Sequence, residues 1–600
     1  MKIFKKKAIA IAITVFVVAC AQNDEQAKQS VKPLHEIEET VVKSEKDIDQ
    51  DGPALKEDIF RAGKRIALNK QLSAKSKLNP MERKRPATAS RRQDMLMSAP
   101  ANIAIAGAVS MDNIRASSEP LNRENYAHFN DNPVKLVSEY PVSTFSIDVD
   151  TGSYANIRRM LNAGSLPAKD AVRTEELLNY FSYKYPAHAL LSAPFALHKE
   201  ISASPWNPDT HLLHIGIKGY DIPLEQLPAS NLVFLVDVSG SMQSANKLEL
   251  LKSSLKLLTR RLSPEDSVSI VVYAGASGVV LEPTSGKDKA LIISALDRLT
   301  AGGSTNGAAG IRLAYAMAEQ AFIKGGINRV LLATDGDFNV GTTNTEQLKD
   351  LIEQKRKSGI ALSTLGFGTG NYNDQLMEQI ADVGNGNYAY IDTLHEAQKV
   401  LVDELSSTML TIAKDVKIQI EFNPAVVTEY RLLGYENRLL NREDFNNDKV
   451  DAGEIGAGHT VTAIYEVSLK GSESERIDAL RYQSVLKQDS NASEIAFLRL
   501  RYKEPEAKTS QLLEWVIAKD EIIEDIEKTS NAFRFAAAVA SFAQQLRGGV
   551  NTKEYTYEDI AELAQNARGE DPFGYRVEFL SLIKLTQSIS QPEQHAQLTK

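Results

Sequence analysis

The stretch NLVFLVDVSGS, Asn231–Ser241, decides how the chain is read. Its first part, Leu232–Val236, is an unbroken apolar run, as a strand buried on both faces requires. Its second part puts small oxygen-bearing side chains, Asp237, Ser239 and Ser241, on alternate positions of a tight loop, with Gly240 relaxing the backbone between them. A strand covered on both faces belongs in a parallel sheet, and parallel pairing needs crossover helices. The residues after the loop supply one. Leu248, Leu251, Leu255, Leu258 and Leu262 recur at helical spacing and share one face.

Outward from there the alternation continues to Leu410. Strands are expected at Ser267–Tyr273, with Val279–Leu281 returning as a hairpin, and at Arg329–Ala333, Ile360–Leu365 and Tyr388–Ile391. Helices are expected at Lys287–Leu299, at Gly307–Phe322 with Ile311, Ala314, Ala318 and Phe322 inward, at Thr345–Lys357 and near Gln375–Ile380. A last helix puts Leu394, Ala397, Leu401 and Leu405 on one stripe. The pattern predicts an α/β fold, a doubly wound and mostly parallel sheet over residues 229–410. In such sheets ligands bind beyond the carboxyl ends of the strands, where strand order reverses.

Three loops at that edge are rich in oxygen donors: Asp237–Ser241, Gly302–Asn306 and Thr334–Asp337. Carboxylates and hydroxyls, without histidine or thiol, suit a hard cation such as Mg²⁺, which wants six oxygens at about 2.1 Å. Asp237, Ser239, Ser241, Thr305 and Asp335 resemble the metal-ion-dependent adhesion site of von Willebrand factor type A domains, in order and in context. The resemblance implies direct ligation by Ser239, Ser241 and Thr305, with Asp237 and Asp335 partly acting through water. Ser304 offers a neighbouring hydroxyl in place of Thr305. It also implies Mg²⁺, Mn²⁺ or Ca²⁺ as cofactor, and a protein partner that completes the site with an acidic side chain. In some members of this fold the last helix slides as the site rearranges, which here would be Thr393–Leu410.

Beyond the core, residues 1–19 read as a signal peptide: Lys5–Lys7, then an apolar Ala8–Val18 too short to span a bilayer. Val17–Cys20 resembles a bacterial lipobox, and Cys20 is the only cysteine in the chain. The resemblance implies lipidation at Cys20 and, with Ala21 following, the outer membrane more than the inner one. Residues 20–125 read as a tether, acidic over Ala21–Phe60 and basic over Arg61–Pro100. Net charge is −9, or −13 once Lys2, Lys5, Lys6 and Lys7 depart, which argues against general nucleic-acid binding. A single cysteine excludes intrachain disulfides. No phosphate-binding loop of the G-x-x-x-x-G-K-[ST] type occurs, so no nucleotide is expected.

The flanks carry strand signals on both sides of the core. Residues 126–228 include Val142–Val149, a helix around Tyr154–Asn162, and two strands in Phe195–Tyr220 with Leu213, Ile215 and Ile217 alternating. Residues 411–508 include the alternations at Val416–Phe422, Val461–Leu469 and Ala496–Tyr502. One β-sandwich built from both flanks, with the core inserted, is the expectation. From Ser510 to residue 600 the pattern reads as helical, with Phe533, Ala536, Ala540 and Phe542 buried. Tyr140–Leu161, Asn441–Glu466 and Asp571–Ile583 are similar to segments of a family of bacterial von Willebrand factor A-type lipoproteins with family-specific flanking domains.

Asp150-Thr151-Gly152 has the form of an aspartic protease turn, but no second such turn supplies the partner carboxylate. Asp444–Asp448 begins like a calcium loop, yet Lys449 and Ile455 stand where Gly and Glu are needed. The function expected is therefore recognition without catalysis: a membrane-anchored, metal-dependent adhesion or assembly module. A periplasmic scaffold subunit of an envelope enzyme or secretion complex is the alternative, and a hydrolase using Asp150 a distant one.

Overall fold

A computed structural model describes residues 124–186, 193–304, 307–336, 345–478, 492–552 and 554–590. The signal peptide, Cys20 and the tether up to residue 123 lie outside the described residues, as do Thr305 and Asp337, whereas Glu124 and Asn125, expected in the tether, are bonded to Arg159 and Tyr372. The central sheet runs in the order Tyr388–Ile391, Ala361–Phe367, Ile327–Thr334, Ser230–Asp237, Ser267–Tyr273, Ser277–Ser285. All neighbours are parallel except the last pair, which is the expected hairpin. Strand order reverses at Ser230–Asp237, so the Asp237 loop sits at the switch point.

Each face of this sheet carries its own core. Leu251, Leu255 and Leu258 of Leu250–Arg261 pack with Ile292, Ala397 and Leu401 against Leu232, Phe234 and Val236. Ile311, Ala314, Leu348, Ile352 and Ile380 cover Val233, Leu235, Val330 and Leu332 on the other. Alternate residues of one strand thus enter opposite cores, which is why Leu232–Val236 has no polar residue.

Two helix readings are corrected. Phe322 is exposed, because the helix is Gly307–Gln320 and the chain turns away before residue 322. Leu394 is exposed as the first residue after the N-cap Thr393, and its helix is broken into Leu394–Gln398, a π turn at Lys399–Asp403 and Leu405–Met409.

Strands from before and after the central sheet pair with one another. One sheet orders Lys135–Leu136, Val427–Leu433, Thr460–Leu469, Asn207–Gly219, Phe195–Ser204 and Ile522–Ile523. The other joins Ile455–Gly456, Thr411–Phe422, Glu494–Lys503 and Gln511–Ala518, with Val142–Ser146 on Thr411–Phe422. Their facing side chains, among them Phe145, Ile215, Ile418, Phe422, Tyr465 and Leu498, form one core. The first sheet has a second cover. Leu212, Leu433 and Ile464 on its far face pack under the helices Gly152–Asn162, Asn531–Leu546, Tyr557–Asn566 and Tyr575–Ser590. Leu212 and Leu213 are therefore both buried, where a half-covered strand would bury only one.

Gln511–Ala518 corrects the helical reading after Ser510: it is a strand, and the long C-terminal helices begin at Asn531. Leu513, Trp515 and Ile517 face inward while Leu512, Glu514 and Val516 lie exposed, which is strand alternation with apolar residues on both sides.

Candidate functional site

Asp237 ends its strand fully buried and is held from three directions. Its Oδ1 accepts the Ser239 N–H at 2.8 Å. Its Oδ2 accepts the Thr334 hydroxyl at 2.9 Å and the Tyr273 hydroxyl at 3.2 Å, each from a neighbouring strand. Burial, the largest influence, pushes the Asp237 carboxyl up to about 6. Asp335 adds to the rise, while the hydrogen bonds from Ser239 and Thr334 oppose it. A divalent charge nearby would restore the ionised form.

The loop turns at Gly240–Gln243 and brings the Ser239 and Ser241 hydroxyls to 2.9 Å from one another, a hydrogen bond between the two. The second loop closes over it. Gly240 N–H donates to Gly303 O at 3.0 Å, and Gly302 N–H donates to Val238 O at 2.8 Å. Gly303 has φ +91, a left-handed conformation that favours glycine. This brings Ser304, the residue before Thr305, up to Gly275.

Asp335 enters from the next strand, immediately after Thr334, and is fully buried. Its Oδ2 accepts from Lys247 Nζ at 2.8 Å. Lys247 is itself buried and lies on the π turn Ala245–Glu249. The sequence reading missed it, because a lysine beside a leucine stripe reads as solvated. Its stem occupies the space over Gly368, 121 residues further along the chain, which no local pattern signals.

The donor set fits a hard divalent cation. Two neighbouring ligands of an octahedral ion at about 2.1 Å stand ~3 Å apart, the separation of the two serine hydroxyls. Asp237 has both oxygens engaged by the protein, which suits contact through water. Among the described residues no cluster of three His, Cys, Asp or Glu side chains forms a metal site, so a metal here depends on hydroxyls.

Asp150 is placed elsewhere and has a positional role. It is buried, its Oδ1 accepts the Tyr388 N–H at 2.7 Å, and its own N–H donates to Asp148 Oδ1 at 3.2 Å. Arg438 faces both carboxylates, at 3.3 Å from Asp148 and 3.6 Å from Asp150. Burial, reinforced by Asp148 and Asp382, pushes the Asp150 carboxyl well up. The Asp444 segment forms a polar turn, capped by Asn441 and tied to Ser510 through Asp448.

Comparison with known proteins follows this division of the chain. The von Willebrand factor type A domain family matches residues 231–404, a family described as "von Willebrand factor" matches residues 120–214, and "Uncharacterized protein YfbK, C-terminal" matches residues 407–589. The Escherichia coli (strain K12) "Uncharacterized protein YfbK" is 50% identical over 477 residues, 78% of this chain and 82% of that protein. The human inter-alpha-trypsin inhibitor heavy chain H3 is 24% identical over 268 residues, 40% of this chain and 29% of that protein. The structure of a von Willebrand factor type A protein from Catenulispora acidiphila matches with a TM-score of 0.36 and 15% identity, over 65% of this chain and 89% of that one. The domain between the flanks is thus a protein-interaction module of the adhesion type.

Proposed function

The chain belongs to the family of the Escherichia coli protein YfbK, von Willebrand factor type A proteins with a family-specific C-terminal domain, and from that premise we propose that it is an envelope-anchored binding protein whose central domain captures an acidic partner group through a divalent cation. The observation that carries this reading is the convergence of the Ser239 and Ser241 hydroxyls, 2.9 Å apart, beside two buried carboxylates from adjacent strands.

Ser239, Ser241 and Thr305 would hold the ion, Mg²⁺ first and Mn²⁺ or Ca²⁺ as substitutes, with Asp237 and Asp335 behind them. When bound, the ion supplies an electrophilic centre that an external carboxylate can complete. The work is recognition and not turnover, because the acidic groups are committed to the protein: Asp237 to Ser239, Thr334 and Tyr273, and Asp335 to Lys247. Lipidation at Cys20 would anchor the chain, at the outer membrane given Ala21.

A scaffold role in an envelope complex is the second reading. Arginine ties favour it, because they fix the central domain against its flanks: buried Arg173 pairs with Asp374 at 2.5 Å, and the half-buried Arg438 with Asp382 at 2.6 Å.

The test is affinity capture from solubilised envelopes with the full chain as bait. Partner protein retained in Mg²⁺, released by EDTA and not captured by Asp237→Ala is the expected result. Capture indifferent to both EDTA and the substitution would remove the metal from the account.

A further inference from the structure

The site contains a cation of its own. We propose that Lys247 competes with the divalent metal for Asp335, keeping metal affinity low and leaving the occupied site with excess positive charge. This inference rests on the metal-site reading above.

Three observations carry it. First, Lys247 Nζ stands 2.8 Å from Asp335 Oδ2, with side-chain exposures of 8% and 0%. Charges that close and that buried interact far more strongly than a surface pair. Second, the ammonium is aimed there by the backbone. Lys247 lies on the π turn Ala245–Glu249, four residues after the turn that carries Ser241, so one segment delivers both the hydroxyls and the ammonium. Third, its stem is locked. Gly368 has φ +77, and a Cβ there would lie 2.4 Å from both Lys247 Cγ and Cε. The strand end at Phe367 thus leaves a channel for this side chain.

The charge count gives the consequence. Asp237 and Asp335 contribute two negative charges and Lys247 one positive, so a divalent ion brings the group to a net charge of +1. An ion approaching Asp335 must share that carboxylate with the ammonium or displace it, which weakens metal binding. The surplus charge then favours a fully ionised carboxylate from outside over a neutral oxygen ligand.

The alternative is that Lys247 is a strut tying two loops together. Titration calorimetry with MnCl₂ and MgCl₂ separates the two, using the full chain and its Lys247→Met, Lys247→Gln and Lys247→Arg variants. Competition predicts Mn²⁺ binding at least about tenfold tighter in the Met and Gln variants. It predicts affinity near that of the wild type in the Arg variant, which keeps the charge. Melting temperatures supply a second readout. The Met and Gln variants should melt below wild type in EDTA and recover in excess Mg²⁺, because the ion replaces the lost ammonium beside Asp335.

Wild-type binding with equal or weaker affinity in folded Met and Gln variants would overturn the competition and leave the metal site standing. No heat of binding from the wild type or any variant would instead overturn the metal reading itself.

Discussion

Arg158, in the flank that precedes the central domain, donates to Glu396 at 2.8 Å inside the domain's last helix, and each side chain is 1% exposed. The same guanidinium reaches Asp392, the Tyr180 hydroxyl at 2.9 Å and Glu578 of the C-terminal helix at 2.9 Å. One residue thus ties the first flank, the central domain and the C-terminal helices together, at the start of the segment Leu394–Met409. Replacing it strands buried carboxylates, which costs about 3–5 kcal/mol. Arg158→Met should lower the melting temperature by several degrees and raise amide exchange across residues 394–409. Unaltered exchange there would mean that the contacts contribute nothing to holding this helix.

His214 gives a pH dependence with a definite sign. It is buried beneath the helices, with Nε2 at 2.9 Å from the Tyr185 hydroxyl, and burial, helped by the charge of His198, pushes its pKa down to about 3. Below about pH 6.5 the unfolded chain takes up a proton that the folded chain refuses, so this group's contribution to stability is lost as pH falls toward 3. Other buried groups titrate as well, so the difference between wild type and His214→Gln isolates the effect. That difference should move in favour of the variant by about 2 kcal/mol between about pH 7.5 and about pH 5, by urea denaturation. A difference independent of pH would contradict it.

Gly336 follows Asp335 with φ +83, and a Cβ there would lie 2.5 Å from Asn373 N and 2.9 Å from Tyr372 Cα. These are backbone atoms, which cannot yield as a side-chain tip can. Gly336→Ala should cost at least ~1–3 kcal/mol by the same denaturation assay and displace Asp335 from its place. Wild-type stability would show that the turn relaxes freely.

The anchoring proposal has its own check. Cys20→Ser should shift the protein from the membrane fraction to the soluble fraction and abolish incorporation of labelled fatty acid. Unchanged membrane association and labelling would place any anchor elsewhere.

Legibility in the sequence followed local periodicity. Leu232–Val236 could be recognised because burial on two faces leaves an unbroken apolar run, and the oxygen-bearing loop lies directly after it. Gln511–Ala518 could not, because Leu512 and Val516 are apolar yet exposed and mask the alternation of Leu513, Trp515 and Ile517. Leu212 shows the converse: a helical layer from the distant C-terminus buries it, and nothing near it in the chain signals that layer. The arginine ties were invisible for a similar reason. Arg158 and Glu396 are 238 residues apart, and each alone reads as a solvated charge. At the site, Asp237, Ser239 and Ser241 were readable from one loop, whereas Lys247 needed the space above Gly368.

Convergence of the Ser239 and Ser241 hydroxyls on one hard divalent ion is open to direct measurement. The direct measurement is Mn²⁺ binding followed by electron paramagnetic resonance on the full chain and on a Ser239→Ala, Ser241→Ala double variant, with folding checked by circular dichroism. One Mn²⁺ should bind per wild-type chain, displaced by excess Mg²⁺, with an affinity at least a hundredfold weaker (about 3 kcal/mol) in the folded double variant. Equal binding by both proteins, or none by the wild type, would contradict it.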